Sequence, residues 1–301
     1  MRVREAAEVS ERPPLSATVV RALDRIGQVR GLDLVATPLA RVVRAVPLGR
    51  FRDIAHGLPL GHPLHPLLVQ LPLGTWLSAA ALDTLPGARR EARFLVGAGV
   101  LAAAPAALAG WVDWAELHAE QRRTGLVHAV AGATATGLYA ASWVQRGRGH
   151  PVRGKALGFL GLAAAGAGGM LGGHLAYRQG AGTNKAAPVP HLVADRWYPI
   201  GQLEDFPPGQ AVRRMVGEVA VLVVRETDGR ILALADRCSH LAGPLSGGRL
   251  FDGCVQCPWH ASVFRLTDGA VVRGPATAPQ PSFRVTVRPG GEVCVAPSDA
   301  R

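Results

Sequence analysis

Two short segments near the C-terminus each supply one thiol and one imidazole. The first segment has the pattern Cys-x-His, the second has Cys-x-x-His, and the four side chains are Cys238, His240, Cys257 and His260. Two thiolates and two imidazoles suit a [2Fe–2S] cluster in which the thiolates bind one iron and the imidazoles bind the other. Neutral imidazoles in place of two thiolates leave less negative charge on the cluster, which raises its reduction potential. The chemistry predicted for such a cluster is one-electron transfer.

The same four ligands could instead bind a single zinc ion. Thiolate and imidazole alternate within each segment, however, whereas zinc fingers usually pair two thiolates in one arm. Gly243, Pro244 and Pro258 predict tight loops around the ligands. The surrounding sequence predicts strands and no finger helix. These features favour the iron–sulfur cluster over zinc.

Short strands are predicted on both sides of the ligands, separated by turns such as Asp228-Gly229 and Asp268-Gly269. The predicted strands are Ala211–Val216, Val219–Arg225, Ile231–Asp236, Val263–Leu266 and Phe283–Val287. They predict one small all-β domain over residues 190–298. Residues 179–189, which are rich in Gly and Pro, predict a linker that precedes it.

This pattern resembles the Rieske [2Fe–2S] family, and the resemblance covers residues 190–298. It implies that Cys238, His240, Cys257 and His260 are the metal and cofactor ligands of an electron-transfer oxidoreductase component. In the Rieske proteins of respiratory and photosynthetic cytochrome complexes, each cluster loop also carries a disulfide cysteine. Gly243 and Trp259 stand at those places here. The loops are therefore more similar to the ferredoxin and ring-hydroxylating dioxygenase branch, which implies a lower reduction potential than in the cytochrome complexes.

The chain ahead of this domain is dominated by apolar residues. Charged residues make up 18% of the whole chain, below the usual share of about 25%. Four apolar runs have about the length that crosses a bilayer: Leu64–Leu85, Phe94–Trp111, Leu126–Val144 and Ala156–Tyr177. They show almost no polar face, which disfavours a soluble bundle. The predicted fold is multidomain, with an α-helical four-span membrane bundle over residues 56–178 followed by the all-β domain.

The N-terminal part has a different character. Residues 1–15 are charged and contain Pro13-Pro14, which predicts disorder, and residues 16–55 have an amphipathic helical pattern broken at Pro38 and Pro47. This segment is interpreted either as a packed helical hairpin or as an interfacial helix on anionic membrane lipid, and the second is favoured. The net charge of +11 suits lipid headgroups. No basic and aromatic stripe is present, so nucleic-acid binding is not predicted.

The helical region also carries a resemblance of its own. Its motifs are the segment from Gly61 to Pro72, the end of the second run at Gly110–Trp114, and the histidines of the third and fourth runs. Over residues 56–185 they resemble an uncharacterised family of four-helix bacterial membrane proteins, domain of unknown function 2231. The resemblance implies an integral protein of the bacterial cell membrane and carries no function.

Four spans would place several ionisable side chains at one end of the bundle: His62, His65, Asp113, His118, His128 and His174. Such groups in a membrane indicate a functional site by default. His128 and His174 are the first candidates for ligands of haem b. His62 and His65 are alternates, or could bind quinone. A structural polar cluster, with Asp113 paired to one histidine, stays open.

The leading functional interpretation is a membrane-anchored Rieske protein that transfers single electrons between a redox partner protein, a reductase or acceptor, and the membrane domain. A redox-sensing or assembly module and the ferredoxin component of a separate oxygenase are the alternatives. The segment from Met1 to Ser16 lacks the apolar core of a secretion signal. Together with the missing loop disulfide, this favours a cytoplasmic Rieske domain.

Overall fold

The computed structural model describes residues 15–298, so the predicted disorder of residues 1–14 lies outside the described residues. The helices are α1 (Leu15–Gln28), α2 (Asp33–Ala45), α3 (Arg50–His56), α4 (Leu64–Leu68), α5 (Gln70–Leu82), α6 (Arg89–Ala115), α7 (Ala119–Gly147), α8 (Pro151–Gly173) and α9 (Val189–Leu192). A π-helical turn, His174–Arg178, extends α8. The helical region therefore precedes the β-rich domain, as the sequence predicts.

Helix α2 packs on the end of the bundle. Its Ala36 and Ala40 are fully buried against Trp114 and Leu126. The helix continues through Pro38, where the sequence predicted a break. Burial of the alanine face offsets the backbone hydrogen bond that a proline cannot donate. The segment is thus a packed helix, with its remaining apolar side chains on the outside.

Helices α5 to α8 pack against their neighbours in chain order, and α5 also meets α8. Trp76 of α5 stacks on Tyr139 of α7, with ring centres 4.2 Å apart, in the middle of this group. Small residues surround them, because a Cβ at Gly99 would collide with the Trp76 ring and one at Gly161 with the Tyr139 ring. The glycines of α6 and α8 therefore permit close helix packing.

Two helices of the described part are long and apolar enough to cross a membrane: α6 and the segment Pro151–Arg178. The first predicted run does not form one long helix, because it is divided between α4 and the 13-residue α5. Helix α7 is 29 residues long, but its polar side chains lower its hydropathy. Two candidate spans are therefore present where the sequence predicted four.

The β-rich domain contains two antiparallel sheets. Its strands are β1 (Tyr198–Gln202), β2 (Ala211–Val216), β3 (Val219–Arg225), β4 (Ile231–Ala235), β5 (Arg249–Phe251), β6 (Cys254–Gln256), β7 (Val263–Arg265), β8 (Val271–Arg273), β9 (Ser282–Val287) and β10 (Glu292–Pro297). The larger sheet has the order β1-β10-β9-β4-β3-β2, and the smaller one β5-β6-β7-β8. The five predicted strands match β2, β3, β4, β7 and β9.

Side chains from the smaller sheet and from the inner face of β3 and β4 form one apolar core. Val255, Phe264 and Leu245 are fully buried there, together with Cys238 and Cys257. The two cysteines predicted to bind iron are thus held by the packing of the sheets. This fixes where the two ligand-bearing loops can lie.

Candidate metal centre

The four predicted ligands lie on two loops that meet at one end of the β domain. Cys238 and His240 follow β4, and Cys257 and His260 connect β6 to β7. The two thiols are within hydrogen-bonding distance of each other. The rings of His240 and His260 lie 5.1 Å apart, with their planes at 84°. The structure therefore brings together all four residues that the sequence selects.

Both loops have the same backbone conformation and the same backbone hydrogen bond at corresponding positions. The N–H of Ala242 donates to the carbonyl of Cys238 at 2.9 Å, and the N–H of Ala261 donates to that of Cys257 at 3.1 Å. Each alanine has a left-handed conformation, with φ of 66° and 59°. This conformation is disfavoured for a residue with a Cβ. Two loops of different sequence therefore share a strained turn that directs the ligands inward.

Each thiol also faces two backbone N–H groups, two and three residues further along: those of His240 and Leu241 for Cys238, and those of Trp259 and His260 for Cys257. The Cys238 thiol, hydrogen-bonded to Cys257, lowers the pKa of Cys257. The same hydrogen bond, with burial, raises the pKa of Cys238. Backbone donors of this kind stabilise thiolate charge and, with it, an iron-bound sulfur.

The two imidazoles are held in their neutral form. Burial lowers the pKa of His240 to about 3 and that of His260 to about 4. The Nδ1 atom of His240 is buried and has no hydrogen-bond partner, which is costly for an isolated polar atom. A neutral imidazole with a free ring nitrogen is the form that binds a metal. This atom therefore fits iron coordination.

The described residues fit a [2Fe–2S] cluster better than a single metal ion. The two thiols form one pair and the two imidazoles form another, whereas a four-coordinate zinc site would take all four side chains on one ion. In a Rieske cluster, by contrast, each iron takes two protein ligands. When bound, such a cluster supplies reversible uptake of one electron.

The loops are held together without a disulfide. All four cysteines are free. A Cβ at Gly243 would lie 2.9 Å from the Trp259 ring and 3.1 Å from Cys257 Sγ. Gly243 and Trp259 stand at the two positions that carry disulfide cysteines in the cytochrome-complex branch. The indole of Trp259 packs on Gly243, so the two loops are in contact there.

A buried amide, which the sequence did not single out, anchors the first loop. The Oε1 atom of Gln280 accepts from the N–H of Ser239 at 2.7 Å, and its Nε2 donates to the carbonyls of Ala235 and Arg237 at 2.9 and 3.0 Å. Gln280 is 2% exposed. Only the fold joins this side chain to the loop, because it lies 41 residues downstream of Ser239 and in no local motif.

The helical domain meets the cluster loops directly. The ring of His118, the residue before α7, lies 5.7 Å from that of Trp259 and 6.2 Å from that of His260. A cavity of about 230 Å³ lies beside this contact and is lined by both domains. His240 lines it from the β domain, and His56, His62 and Asp113 line it from the helical domain.

The histidines predicted as a haem or quinone site have three different surroundings. His62 lines the cavity. The rings of His65 and His128 make a T-shaped contact, with ring centres 6.0 Å apart. His174 is buried, with Nε2 3.4 Å from Asp24. The ring contact that the structure gives His128 is thus with His65, whereas the sequence favoured pairing it with His174.

Asp113 has a histidine partner, as one of the open interpretations required. That partner is His56, whose Nδ1 lies 2.7 Å from Asp113 Oδ1 and whose side chain is 2% exposed. The sequence assigned His56 no role, and only its position ahead of the first apolar run linked it to this end of the bundle.

The fold and the ligand set define an iron–sulfur electron-transfer domain attached to a helical domain. Residues 196–284 match the model of the Rieske [2Fe-2S] domain family. Residues 61–185 match the model of a family described as predicted membrane protein (DUF2231). The chain thus belongs to the Rieske [2Fe–2S] family and carries a DUF2231 domain ahead of its Rieske domain.

Similar proteins are oxygenase components. The chain is 32% identical over 94 residues to the anthranilate 1,2-dioxygenase ferredoxin subunit of Burkholderia cepacia, which covers 31% of this chain and 86% of the subunit. It is 36% identical over 88 residues to the chloroplastic pheophorbide a oxygenase of Oryza sativa subsp. japonica, which covers 29% of this chain and 16% of the oxygenase. The solved ferredoxin of carbazole 1,9a-dioxygenase from Nocardioides aromaticivorans IC177 has 29% identity and a TM-score of 0.32, covering 34% of this chain and 98% of that one. Electron transfer is the function that the ferredoxin relatives support.

Proposed function

We propose that this protein is a membrane-anchored one-electron carrier. Its Rieske cluster exchanges electrons with a soluble redox partner protein on one side and with the helical domain on the other. The cavity shared by His240 and the His56–Asp113 pair carries this proposal. Because His240 lines this cavity from the β domain, a cluster ligand faces the helical domain. Electrons therefore have a short path into that domain.

Membrane attachment is supported by the apolar side chains that the helices leave exposed. Phe94 and Leu101 of α6 are 73% and 78% exposed, and acyl chains would cover them in a bilayer. Leu34 of α2, 83% exposed, would contact the lipid surface while the neighbouring arginines meet anionic headgroups. We place the Rieske domain in the cytoplasm of a bacterial cell.

The cluster is tested by EPR and optical redox titration of the full-length protein in detergent. We expect one Rieske-type [2Fe–2S] signal per chain and two irons. Cys257→Ser should abolish the signal, because a hydroxyl replaces one of the two thiolates on one iron. Cys254→Ser, at a cysteine outside the ligand set, is the matched control. An unchanged signal in Cys257→Ser would contradict the ligand assignment.

Attachment and orientation are tested in the producing cells. We expect the chain to stay in the membrane pellet after alkaline carbonate extraction, with a Rieske domain that external protease cannot reach until the membrane is opened. Release by carbonate would contradict membrane anchoring. Cleavage in intact spheroplasts would contradict the cytoplasmic placement alone.

A second candidate function is that of a ferredoxin component for a separate oxygenase, and the similarity to a ferredoxin subunit favours it. It predicts a soluble partner with mononuclear iron that re-oxidises the reduced cluster. A redox-sensing or assembly module instead predicts that removal of the cluster leaves every electron flux unchanged. Stopped-flow re-oxidation with membrane and soluble fractions separates these cases.

A further inference from the structure

We propose that the exposed edge of the second cluster loop, together with two arginines of the helical domain, is the docking surface for an acidic protein that donates single electrons. The edge consists of Trp259 and the neighbouring His118. The two arginines, Arg44 and Arg122, are called the cationic rim below. This inference deepens the proposed function and rests on it, because it adds the charge of the soluble redox partner and the place where that partner binds.

Trp259 is the apolar part of this surface. Among residues 196–298, the exposed large apolar side chains are Trp197, Met215, Trp259, Val272 and Val287, and Trp259 is the one on a cluster loop. It is 50% exposed, and its ring centre lies 6.5 Å from that of His260. Exposed aromatic side chains are frequent anchors of protein interfaces. A partner bound over this indole would therefore lie next to a cluster ligand.

The two imidazole ligands have different surroundings. His240 lines the cavity between the domains, so it faces the helical domain. His260 instead contacts the ring of His118 at 6.2 Å, and His118 is an exposed residue. A protein can thus approach the second cluster loop at Trp259 while the two domains of this chain stay in contact.

The cationic rim is fixed on the turn between α6 and α7, which ends at His118. Arg44 of α2 pairs with Glu116 of this turn at 3.3 Å. Arg122 of α7 donates from Nη1 to the carbonyl of Leu117 at 3.1 Å. Both arginines are therefore held beside the residue that contacts the cluster loop, and less side-chain freedom is lost when a partner binds.

The rim carries an excess of positive charge. The side chain of Arg44 is 40% exposed, whereas that of its partner Glu116 is 12% exposed. Among the ion pairs of residues 15–298, none includes Arg122, and its Nε has no hydrogen-bond acceptor. After burial, the nearby charges of Arg44, His118 and Arg122 are the causes that lower the pKa of His260. The positive potential therefore extends to the cluster loop.

A partner with carboxylates around its own redox group complements this rim. Opposite charges steer the encounter of two proteins and fix their orientation. The net charge of +11 acts in the same direction over a longer range. Anionic lipid is the competing occupant. Leu34, which we place against the lipid, lies ten residues before Arg44, about 15 Å along α2. The rim is thus at the end of α2 that meets the β domain, which favours a protein.

The step that docking permits is the transfer of one electron. The one-electron carrier of the partner, a reduced flavin or iron–sulfur centre, is oxidised, and the oxidised cluster is reduced. No covalent bond forms or breaks and no proton is transferred. The rim orients the partner and takes no part in the transfer itself.

The test measures the binding of two probe proteins of opposite charge to the full-length protein in phosphatidylcholine nanodiscs. The probes are a plant-type [2Fe–2S] ferredoxin, which is acidic, and cytochrome c, which is basic. We expect the ferredoxin to bind at low ionic strength and cytochrome c not to bind. Arg44→Gln and Arg122→Gln should each raise the Kd for ferredoxin by about fivefold. Arg230→Gln, at the end of β4 remote from the cluster loop, is the matched control and should retain the native Kd.

Further variants and a rate measurement separate lost charge from misfolding. Arg44→Lys and Arg122→Lys keep the charge and should restore most of the binding. All of these variants should keep the cluster EPR signal and its reduction potential. Stopped-flow reduction by reduced ferredoxin should slow by the factor by which Kd rises. This difference should vanish at about 0.5 M salt, because salt screens exposed charges.

Two results would overturn the proposal. One is an equal Kd for ferredoxin in the rim variants and in Arg230→Gln. The other is loss of the difference when phosphatidylglycerol is added to the nanodiscs, which would show that lipid headgroups occupy the rim. The proposed function fails on a separate result, namely that neither the membrane nor the soluble fraction of the producing cells exchanges electrons with the cluster.

Discussion

At the scale of single residues, two alanines have the least favourable backbone of the metal centre. Ala242 and Ala261 are in the left-handed region at the same position of the two cluster loops, four residues after Cys238 and Cys257. Their N–H groups close both turns by donating to the cysteine carbonyls. The ligand geometry therefore depends on residues that do not touch iron. β-Branched side chains are strongly disfavoured at this φ.

Ala242→Val and Ala242→Gly are expected to have opposite effects. Valine is β-branched and opposes a positive φ, whereas glycine adopts it freely. The valine variant should lose iron and unfold about 2 kcal/mol more easily than the glycine variant. Iron content per chain and urea unfolding, followed by the visible absorption of the cluster, measure this. Equal occupancy and equal midpoints would show that the turn is not strained.

At the scale of elements, single side chains join segments that are remote in sequence. Gln280 ties the loop after β4 to the segment before β9. In the helical domain, Asp33 at the start of α2 pairs with Arg123 of α7, at 2.6 Å. Arg123 also donates to the carbonyl of Gly27 at 2.8 Å. One guanidinium therefore docks the α1–α2 segment on the bundle.

Gln280→Ala should destabilise the cluster domain by about 2–4 kcal/mol. Three backbone groups would lose their partner in a buried place, and each costs about 1–3 kcal/mol if no water replaces it. Denaturant unfolding, detected through the cluster, is the measurement. Gln210→Ala, at an exposed position, is the control and should change little. A similar unfolding midpoint for both variants would contradict the role of Gln280.

Asp33→Ala should loosen the α1–α2 segment without affecting the cluster. Trypsin cleavage at Arg30, in the turn between the two helices, is expected to become faster at neutral pH. Asp195→Ala removes a comparable pair with Arg284 on the exposed surface and should leave cleavage there unchanged. Equal cleavage rates in the two variants would argue that Arg123 does not dock the segment.

The same pair predicts a dependence on pH. The hydrogen bond from Arg123 lowers the pKa of Asp33 below 3.8. The pair therefore contributes stability above pH 3.8, and this contribution is lost as the pH falls through the lowered pKa. Pepsin cleavage of the α1–α2 segment between pH 4 and 2 should show this loss in the native chain and not in Asp33→Ala.

At the scale of the whole molecule, the two domains meet at the face that carries the cluster loops. Asp53 of α3 accepts from the N–H of Gly274 at 2.9 Å. The N–H of Lys185, after the helical domain, donates to the carbonyl of Ser239 at 2.9 Å. Together with the contact of His118 on Trp259, these bonds orient the cluster toward the helical domain. The electron exchange proposed between the domains would depend on this docking.

Asp53→Ala should weaken the docking and leave the cluster intact. The N–H of Gly274 would lose its acceptor, and a buried backbone group without a partner is unfavourable. We expect faster hydrogen exchange in residues 180–187, slower electron transfer out of the Rieske domain, and an unchanged cluster EPR spectrum. Glu218→Ala, in an exposed turn of the β domain, is the control. Unchanged exchange and transfer rates in Asp53→Ala would show that other contacts set the orientation.

The sequence determined features whose signal is local. The four proposed cluster ligands lie at short spacings within two loops, the strands β2 and β3 have a strand pattern, and the apolar runs predict helices. The strands β1, β5, β6, β8 and β10 gave too little local pattern, because they are short or contain Gly, Pro or charged residues and are stabilised by their partners in the sheet.

Only the tertiary structure decided which distant residues meet. It paired His128 with His65, joined His56 to Asp113, connected Gln280 to the first cluster loop, and carried α2 through Pro38. These outcomes depend on helix rotation and on the packing of two domains, which no spacing along the chain encodes. The four proposed ligands of the cluster are therefore readable from the sequence, whereas the contact of their loops with the helical domain is a property of the packed molecule.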